Sequence, residues 1–339
     1  MLRLVILALT LFLMRAIIPV AGYGTRLRPH TYTVPKVLLN VAGKPIIAHI
    51  LDALTSYGIA EATFVVGPMG EQIEQYVTGR YPSLHATFVE QQQQLGLGHA
   101  IWCARSTIGT EPIIIILGDT IFDADLERFL QSPSSTIGVK EVQDPRRFGV
   151  VELADGKITR LIEKPSNPPS HLAIVGLYLL RNSQLLVECL DHLIREDIRT
   201  NGEFQLTDAL QCMLDKGECL VPFTIEGWFD CGKPETLLET NRFLLARDQQ
   251  SVKPPSSSIV IPPSYVSPTA LIERSIVGPY ATIGDGATVK DARVENSIIG
   301  AGAYVEAVVL SDSIIGNNAM VCGSFHSLNV GDSSQINYA

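Results

Sequence analysis

The sequence predicts an α/β fold, a mixed sheet covered by helices, followed by a second unit of short strands coiled three to a turn. Three observations carry this. Apolar strand-like runs alternate with amphipathic stretches from Ala16 to about Leu245; a segment rich in Pro and Ser, QQSVKPPSSS at 249–258, interrupts the chain; and beyond it a short motif repeats. At 339 residues the chain exceeds the usual size of one domain, and 46% apolar against 18% charged residues is a composition that fills a core and excludes disorder.

Residues 1–13, MLRLVILALTLFL, hold an apolar run after Arg3 with no small-residue cleavage site behind it. Arg15 stops the run short of the roughly 20 residues of a membrane span. The segment reads as an upstream extension or a misassigned start, with a weak membrane anchor as the other reading. An α/β domain is expected over 14–248. Its clearest strands are Ala16 to Val20, Ala62 to Val66, Ala86 to Val89 and Ile113 to Leu117, with helices at Ile46 to Tyr57 and Gly98 to Ser106. Further strands at Thr136 to Val142, Gly149 to Leu153 and Leu172 to Leu180 predict that the sheet becomes mixed. The segment 249–258 is the expected linker.

From 259 to 339 the pattern changes. SIVGPYATI at Ser275, SIIGAGAYV at Ser297 and SIIGNNAMV at Ser313 share one motif, and aliphatic residues recur every five or six positions from Val277 through Ile283, Val289 and Val294 to Val321. A β-sandwich alternates with period two, so the spacing favours a coil with three flat sides that turns at Gly, Asn or Asp. The stretch from about Ile259 to Val321 resembles the left-handed parallel β-helix of hexapeptide-repeat proteins.

A formal charge of -9 gives no general attraction to a polyphosphate backbone, which argues against nucleic acid as a partner. The six cysteines are scattered, with no zinc-ligand spacing, and read as reduced thiols of a cytoplasmic protein. Basic groups that bind phosphate must therefore be local. VAGYGTRLRPHTYTVPK, Val20 to Lys36, follows the first strand and sets glycines beside arginines and a lysine, the arrangement that aims backbone N–H groups at phosphates. It is neither a Walker A loop, which ends in G-K-[ST], nor a dinucleotide fingerprint, since Leu27 stands where the third glycine belongs.

The longer string PVAGYGTRLRPHTYTVPKVLLNVAGKP closely resembles the signature of sugar-1-phosphate nucleotidylyltransferases, which join a nucleoside triphosphate to a sugar 1-phosphate and release pyrophosphate. The resemblance implies a Rossmann-like mixed-sheet nucleotidyltransferase domain followed by a short left-handed parallel β-helix. It also implies roles. Ala21, Gly22, Gly24 and Thr25 belong to the loop around the triphosphate, Arg26 neutralises pyrophosphate, and Lys36 holds the α-phosphate region. VEQQQQLGLGHAI matches the segment in which Gln91 pairs with the base and Gly96 lets it approach; the other three glutamines read as surface loop, and His99 as a residue that caps or packs its helix. IIIILGDTIFD supplies Asp119, a Mg2+ ligand, and Thr120 on the sugar nucleotide. Gly149 in FGVVEL, Glu163 and Lys164 in IEKP and Ile174 in AIVGLY face the sugar and its phosphate, and Asp230 in GWFDCGKPETL is the second metal carboxylate.

The attacking oxygen in such a reaction is already anionic, so neutralisation and positioning carry it rather than a general base. PVAG and GLGHAIWCA look more like uridylyl- and thymidylyltransferases acting on glucose 1-phosphate. The repeat tail is shared with mannose-1-phosphate guanylyltransferases, which stay open as an alternative, as does a non-catalytic sugar-nucleotide-binding subunit. A second, acyltransferase activity in the tail has only His326 to offer. The expected partners are a nucleoside triphosphate, a sugar 1-phosphate and further copies of the chain in a homo-oligomer.

Overall fold

The computed structural model describes residues 14–248 and 257–324. The extension at 1–13, most of the linker and His326 lie outside the described residues. Contacts divide the chain into two compact units, one of residues up to 39 and 44–240, the other of 40–43 and 241 onward.

The first unit is built on a nine-stranded sheet. Strands β1 (Arg15–Pro19), β2 (Glu61–Val66), β3 (His85–Glu90) and β4 (Ile113–Ile116) run parallel, in the order β4-β1-β2-β3. Helix α1 (Ile46–Ser56) connects β1 to β2, and α2 (Gly70–Arg80) connects β2 to β3. The chain then leaves the sheet through β5 (Thr120–Asp123) and returns with β6 (Ser135–Glu141), β7 (Gly149–Ala154), β8 (Lys157–Glu163) and β9 (Leu172–Leu180). β9 pairs antiparallel with β4, β6 and β7, and this is where the sheet becomes mixed, as expected. β10 (Leu220–Thr224) adds a parallel edge beside β6. The β4 run Ile113–Ile116 is buried throughout, as a strand covered on both faces must be.

Helices α3 (Leu97–Cys103), α5 (Ser183–Arg195) and α6 (Leu206–Asp215) cover one face. In α5 the buried positions Leu186, Cys189, Leu190 and Leu193 recur at helical spacing, and Asn182 caps its start by accepting from the Leu185 N–H at 3.1 Å. The helix expected from Gly98 to Ser106 is shorter as an α-helix and finishes as a 3-10 turn over Ala104–Thr107. Short α4 (Leu126–Leu130) and long α7 (Pro234–Arg247) complete the α-helices among the described residues, and a two-stranded ribbon of β5 with β11 (Gly227–Asp230) stands apart from the main sheet.

The second unit is a left-handed coil of three four-stranded parallel sheets. Each coil stacks on the next in register, Ile259 on Ile276, Arg293 and Val309 along one side. Val277, Ile283, Val289, Val294, Ile299 and Val305 point inward and are fully buried, which accounts for the spacing of five or six. The repeated serine also has a cause: Ser275 Oγ accepts from the Ala292 N–H at 3.1 Å and Ser297 Oγ from the Ser313 N–H at 3.0 Å, tying each coil to the one above. Corners were expected at Gly, Asn or Asp. Asp291, Asn296, Asp312 and Asn318 do sit there with positive φ, but so do Arg274, Tyr280 and Ala307. At Ala307 the stacking bonds hold the turn, its N–H donating to Lys290 O at 3.1 Å. Within this unit the buried Asn241 accepts from the Ala42 N–H at 2.8 Å and from Thr282 Oγ1 at 2.7 Å, and donates to Tyr280 O at 3.1 Å.

Candidate functional site

The glycine loop leaves β1 at its carboxyl end. Val20 N–H still donates to Val65 O at 2.8 Å, and then the chain turns out through Ala21 and Gly22. Gly24, in left-handed conformation at φ 60, opens a 3-10 turn over Thr25–Leu27. Buried Leu27 anchors that turn, and Thr31 Oγ1 fastens it by donating to Gly24 O at 2.8 Å. A last 3-10 turn, Lys36–Leu38, presents the lysine, whose ammonium pairs with the Asp119 carboxylate.

Asp119 lies just past β4, where an α/β sheet opens to ligand. The ribbon brings Asp230 to it. β5 and β11 pair antiparallel with Asp230 opposite Thr120, and Cys231 N–H donates to Asp119 O at 3.0 Å. Residues 119 and 230 thus meet through main-chain pairing. Their carboxyls are unlike. Burial alone raises Asp119, but the charge and hydrogen bond of Lys36 outweigh it and hold the carboxyl below its usual range. Burial first, and then the charge of Asp119, push Asp230 above its usual range, against Lys36, Arg26 and Arg147. Arg26 comes in over Gly232: its Nη2 and Asp230 Oδ1 each lie 2.8 Å from where a Cβ on that glycine would stand.

Two adjoining cavities share Asp119, Leu117 and Leu97 in their walls. The loop-side cavity, about 340 Å³, is lined by Ala21, Gly22, Gln91, Gln94, Gly96 and Glu203 besides these. The ribbon-side cavity, about 200 Å³, holds Thr120, Gly149, Glu163, Ile174 and Asp230. Glu163 Oε2 accepts from Thr207 Oγ1 at 2.6 Å. Gly149 sits so close that an added Cβ would lie 3.0 Å from both of those atoms and from Ile174 Cδ1. Gly24, Thr25, Arg26, Lys36 and Lys164 line neither cavity. Lys36 reaches the site through Asp119, Arg26 through Asp230, and Lys164 through Glu163, with Nζ 3.3 Å from Oε1. Gly24 backs Lys36, whose Cβ would lie 3.0 Å from a Cβ on the glycine. A larger open groove of about 750 Å³ runs along α5 and α6 and contains none of these residues.

Gln91 is buried, and its Nε2 donates to Gly96 O at 3.1 Å and meets His99 Nδ1 at 3.1 Å. His99 does pack, stacked between Trp102 and Phe204, but it also holds this glutamine. Gln94 is an exposed loop residue, as read, but it also lines the loop-side cavity, and its Nε2 donates to Ala21 O at 2.8 Å. Sequence reasoning also missed Arg147, Tyr178, Gln205, Thr207 and Trp228, all in the wall of the ribbon-side cavity. Of the adjacent arginines, Arg146 is committed to Asp144 at 2.7 Å, while Arg147 makes no ion pair among the described residues and faces the cavity. The buried indole N–H of Trp228 has no hydrogen-bond partner among the described residues. Among those residues, no group of three or more His, Cys, Asp or Glu stands ready to hold a metal, and no helix is long and apolar enough to cross a membrane.

The model of the nucleotidyl transferase family matches residues 15–247. A low-salt glycan biosynthesis nucleotidyltransferase of Haloferax volcanii is 30% identical over 84% of this chain and 87% of its own length. A glucose-1-phosphate thymidylyltransferase of Streptomyces antibioticus is also 30% identical, over 84% of this chain and 87% of that protein. Among solved structures, a UDP-glucose pyrophosphorylase complexed with UDP-glucose superposes with a TM-score of 0.59 at 27% identity, covering 69% of this chain and 99% of that one. Matched over its whole α/β unit and, with the first two relatives, over most of its length, the chain belongs to the nucleotidyl transferase family as one of its sugar-1-phosphate nucleotidylyltransferases.

Proposed function

We propose that the chain transfers a nucleotidyl group from dTTP or UTP to glucose 1-phosphate, with Mg2+ as cofactor and pyrophosphate as the second product. The observation that carries this reading is the place of Asp119 in the wall of both cavities, which lets donor and acceptor meet at one carboxylate. The loop-side cavity takes the nucleotide, with Ala21, Gly22, Gly24 and Thr25 toward the triphosphate and Gln91 and Gly96 toward the base. The ribbon-side cavity takes the sugar phosphate, with Thr120, Gly149, Glu163 and Ile174 around the sugar and Lys164 on its phosphate. The thymidylyltransferase relative and the UDP-glucose complex support the choice of substrates.

The donor set fits a hard divalent ion. Asp119 and Asp230 both offer carboxylate oxygens to the ribbon-side cavity, and Asp230, raised first by burial and then by the charge of Asp119, is an acid whose charge a cation there would offset. Two protein carboxylates suffice for Mg2+, which keeps waters and takes substrate phosphates as further ligands. When bound, the ion supplies charge neutralisation and polarises phosphoryl oxygens. The chain's own side chains do the rest. The sugar phosphate oxygen attacks the α-phosphorus in line and needs no base, so Lys36 and Arg26 act by offsetting repulsion between two polyanions. Lys36 stands against Asp119, the carboxylate common to both cavities.

The same reading has the chain working in the cytoplasm as a homo-oligomer. The outer rows of the coil expose Ile259, Leu271, Val309 and Met320, apolar side chains that suit contact between copies, and light scattering in solution tests it. The deciding experiment for the activity is a turnover matrix of five nucleoside triphosphates against glucose, mannose and N-acetylglucosamine 1-phosphates. Turnover confined to GTP with mannose 1-phosphate replaces this reading by a guanylyltransferase. No turnover with any pair replaces it by a non-catalytic binder of sugar nucleotides.

A further inference from the structure

The Gln91 carboxamide is oriented from two sides. Gly96 offers a carbonyl oxygen, which only accepts, so the nitrogen of the carboxamide must face it, at 3.1 Å. The same nitrogen lies 3.1 Å from His99 Nδ1. Its second hydrogen is used there if Nδ1 carries a lone pair, that is, if the imidazole is neutral with its proton on Nε2. The surroundings favour that state: burial, then the charge of Arg199, hold His99 below the usual histidine range. The ring cannot swing away either, since it is stacked against Trp102 at 5.8 Å and Phe204 at 6.4 Å between centroids. With both amide hydrogens occupied, the group that Gln91 brings to the loop-side cavity is its carbonyl oxygen, an acceptor.

We propose that His99, by accepting from the Gln91 carboxamide, fixes Gln91 as a hydrogen-bond acceptor and so selects nucleobases whose pairing edge carries a ring N–H, uracil, thymine or guanine, over adenine and cytosine. In adenine and cytosine the corresponding ring nitrogen has a lone pair, which would face the lone pairs of the Gln91 oxygen. A site built to pair with an N–H rejects a substrate that lacks it far more strongly than an apolar wall does, because a buried polar group is left without a partner. His99 is a positioning residue here: it acts through Gln91 and does not touch the substrate. Without it the carboxamide keeps one anchor, the Gly96 carbonyl, and turns more freely. The inference rests on the proposed nucleotide site and refines it to a class of base.

The test is kcat/KM for UTP, dTTP, GTP, ATP and CTP in the wild type, in His99→Phe and in His99→Asn. Phenylalanine keeps the stacking and removes the acceptor; asparagine restores an acceptor oxygen near the place of Nδ1. The expected result is that His99→Phe lowers the preference for the best N–H-bearing triphosphate over ATP and CTP by about tenfold or more, that His99→Asn retains most of it, and that the KM for the sugar 1-phosphate is unmoved in both. If His99→Phe does not fold, His99→Leu gives the same comparison. A preference unchanged in the apolar variant, or lost equally in His99→Asn, overturns the inference while leaving the nucleotidyl transfer intact. A wild type that turns over no pair in the matrix fails at the earlier step, so the two failures are told apart.

Discussion

Gly22 and Gly96 both line the loop-side cavity, and alanine at each is expected to do opposite things. Gly96 has φ 110 and ψ 173, a region that glycine alone occupies readily, and forcing alanine into it costs about 1–3 kcal/mol. Its Cβ would also stand 2.5 Å from Phe204 O, 2.9 Å from Glu203 Cβ and 3.0 Å from Phe204 N. That backbone cannot step aside, because Phe204 N–H donates to Leu95 O at 2.8 Å and Phe204 O accepts from Gly98 N–H at 2.8 Å. Overpacking against it adds about 1–3 kcal/mol. The sum centres on about 4 kcal/mol, which for a domain of this size lowers the melting temperature by roughly 8–16 °C. A Cβ on Gly22 meets nothing within 4 Å, so Gly22→Ala leaves stability within about 0.5 kcal/mol of the wild type. Its methyl projects where the proposed triphosphate passes, and the nucleoside triphosphate KM rises. Thermal unfolding of both variants with nucleotide kinetics on Gly22→Ala is the assay. A Gly96→Ala protein that melts with the wild type, or a Gly22→Ala protein that melts several degrees lower, refutes the reasoning.

Other perturbations follow the same geometry. Asp119→Asn removes the carboxylate common to both cavities, and turnover falls by about 100-fold or more while the circular dichroism spectrum stays native; pyrophosphate release at the wild-type rate would contradict its role. Arg147→Ala takes away a guanidinium that faces the ribbon-side cavity and opposes the raised Asp230, so the sugar 1-phosphate KM increases several-fold with little change for the nucleotide, measured by initial rates with each substrate varied in turn. Asn241→Ala strands the Ala42 N–H and two further partners in the second unit and costs about 2–4 kcal/mol, read from chemical denaturation. For Asp52, burial raises the carboxyl but hydrogen bonds from Lys44 and Tyr81 outweigh it and hold it below the usual value. Its contribution to stability is present above the ordinary carboxylate pKa and is lost as pH falls through the lowered folded value, so Asp52→Asn flattens the acid limb of a stability profile; an acid limb as steep as the wild type's counts against it.

Strands were legible wherever both faces are covered, because burial leaves a continuous apolar run: Ile113–Ile116 and Leu172–Leu180 announce themselves. The coil was legible for a different reason, its repetition, which fixes which residue of each motif points inward. The ribbon was not. TIFD and GWFD are too short to read as strands, and only their pairing, more than 100 positions apart in the chain, makes them one element. The site divides along the same line. Asp119 follows a strand end, a place that sequence alone marks. Arg147 comes from a 3-10 turn, Thr207 from a helix start and Trp228 from the ribbon itself, and nothing local in the sequence shows that these three meet at one cavity. Gln94 was hidden by its own neighbours, since nothing in a run of four glutamines distinguishes the one that reaches Ala21.

The β5–β11 ribbon spaces the two carboxylates by peptide hydrogen bonds rather than by side-chain packing. Backbone rungs are indifferent to side-chain identity, so the gauge they set survives replacement of the surrounding wall. Gly149, Ile174, Gln91 and His99 all belong to that wall or its supports, and none contributes a rung. Substrate preference can therefore drift, residue by residue, without disturbing the pair of acids at the reacting centre. A fold arranged this way offers many related chemistries at the cost of a few side chains, and redesign of its specificity can leave residues 119–123 and 227–231 untouched.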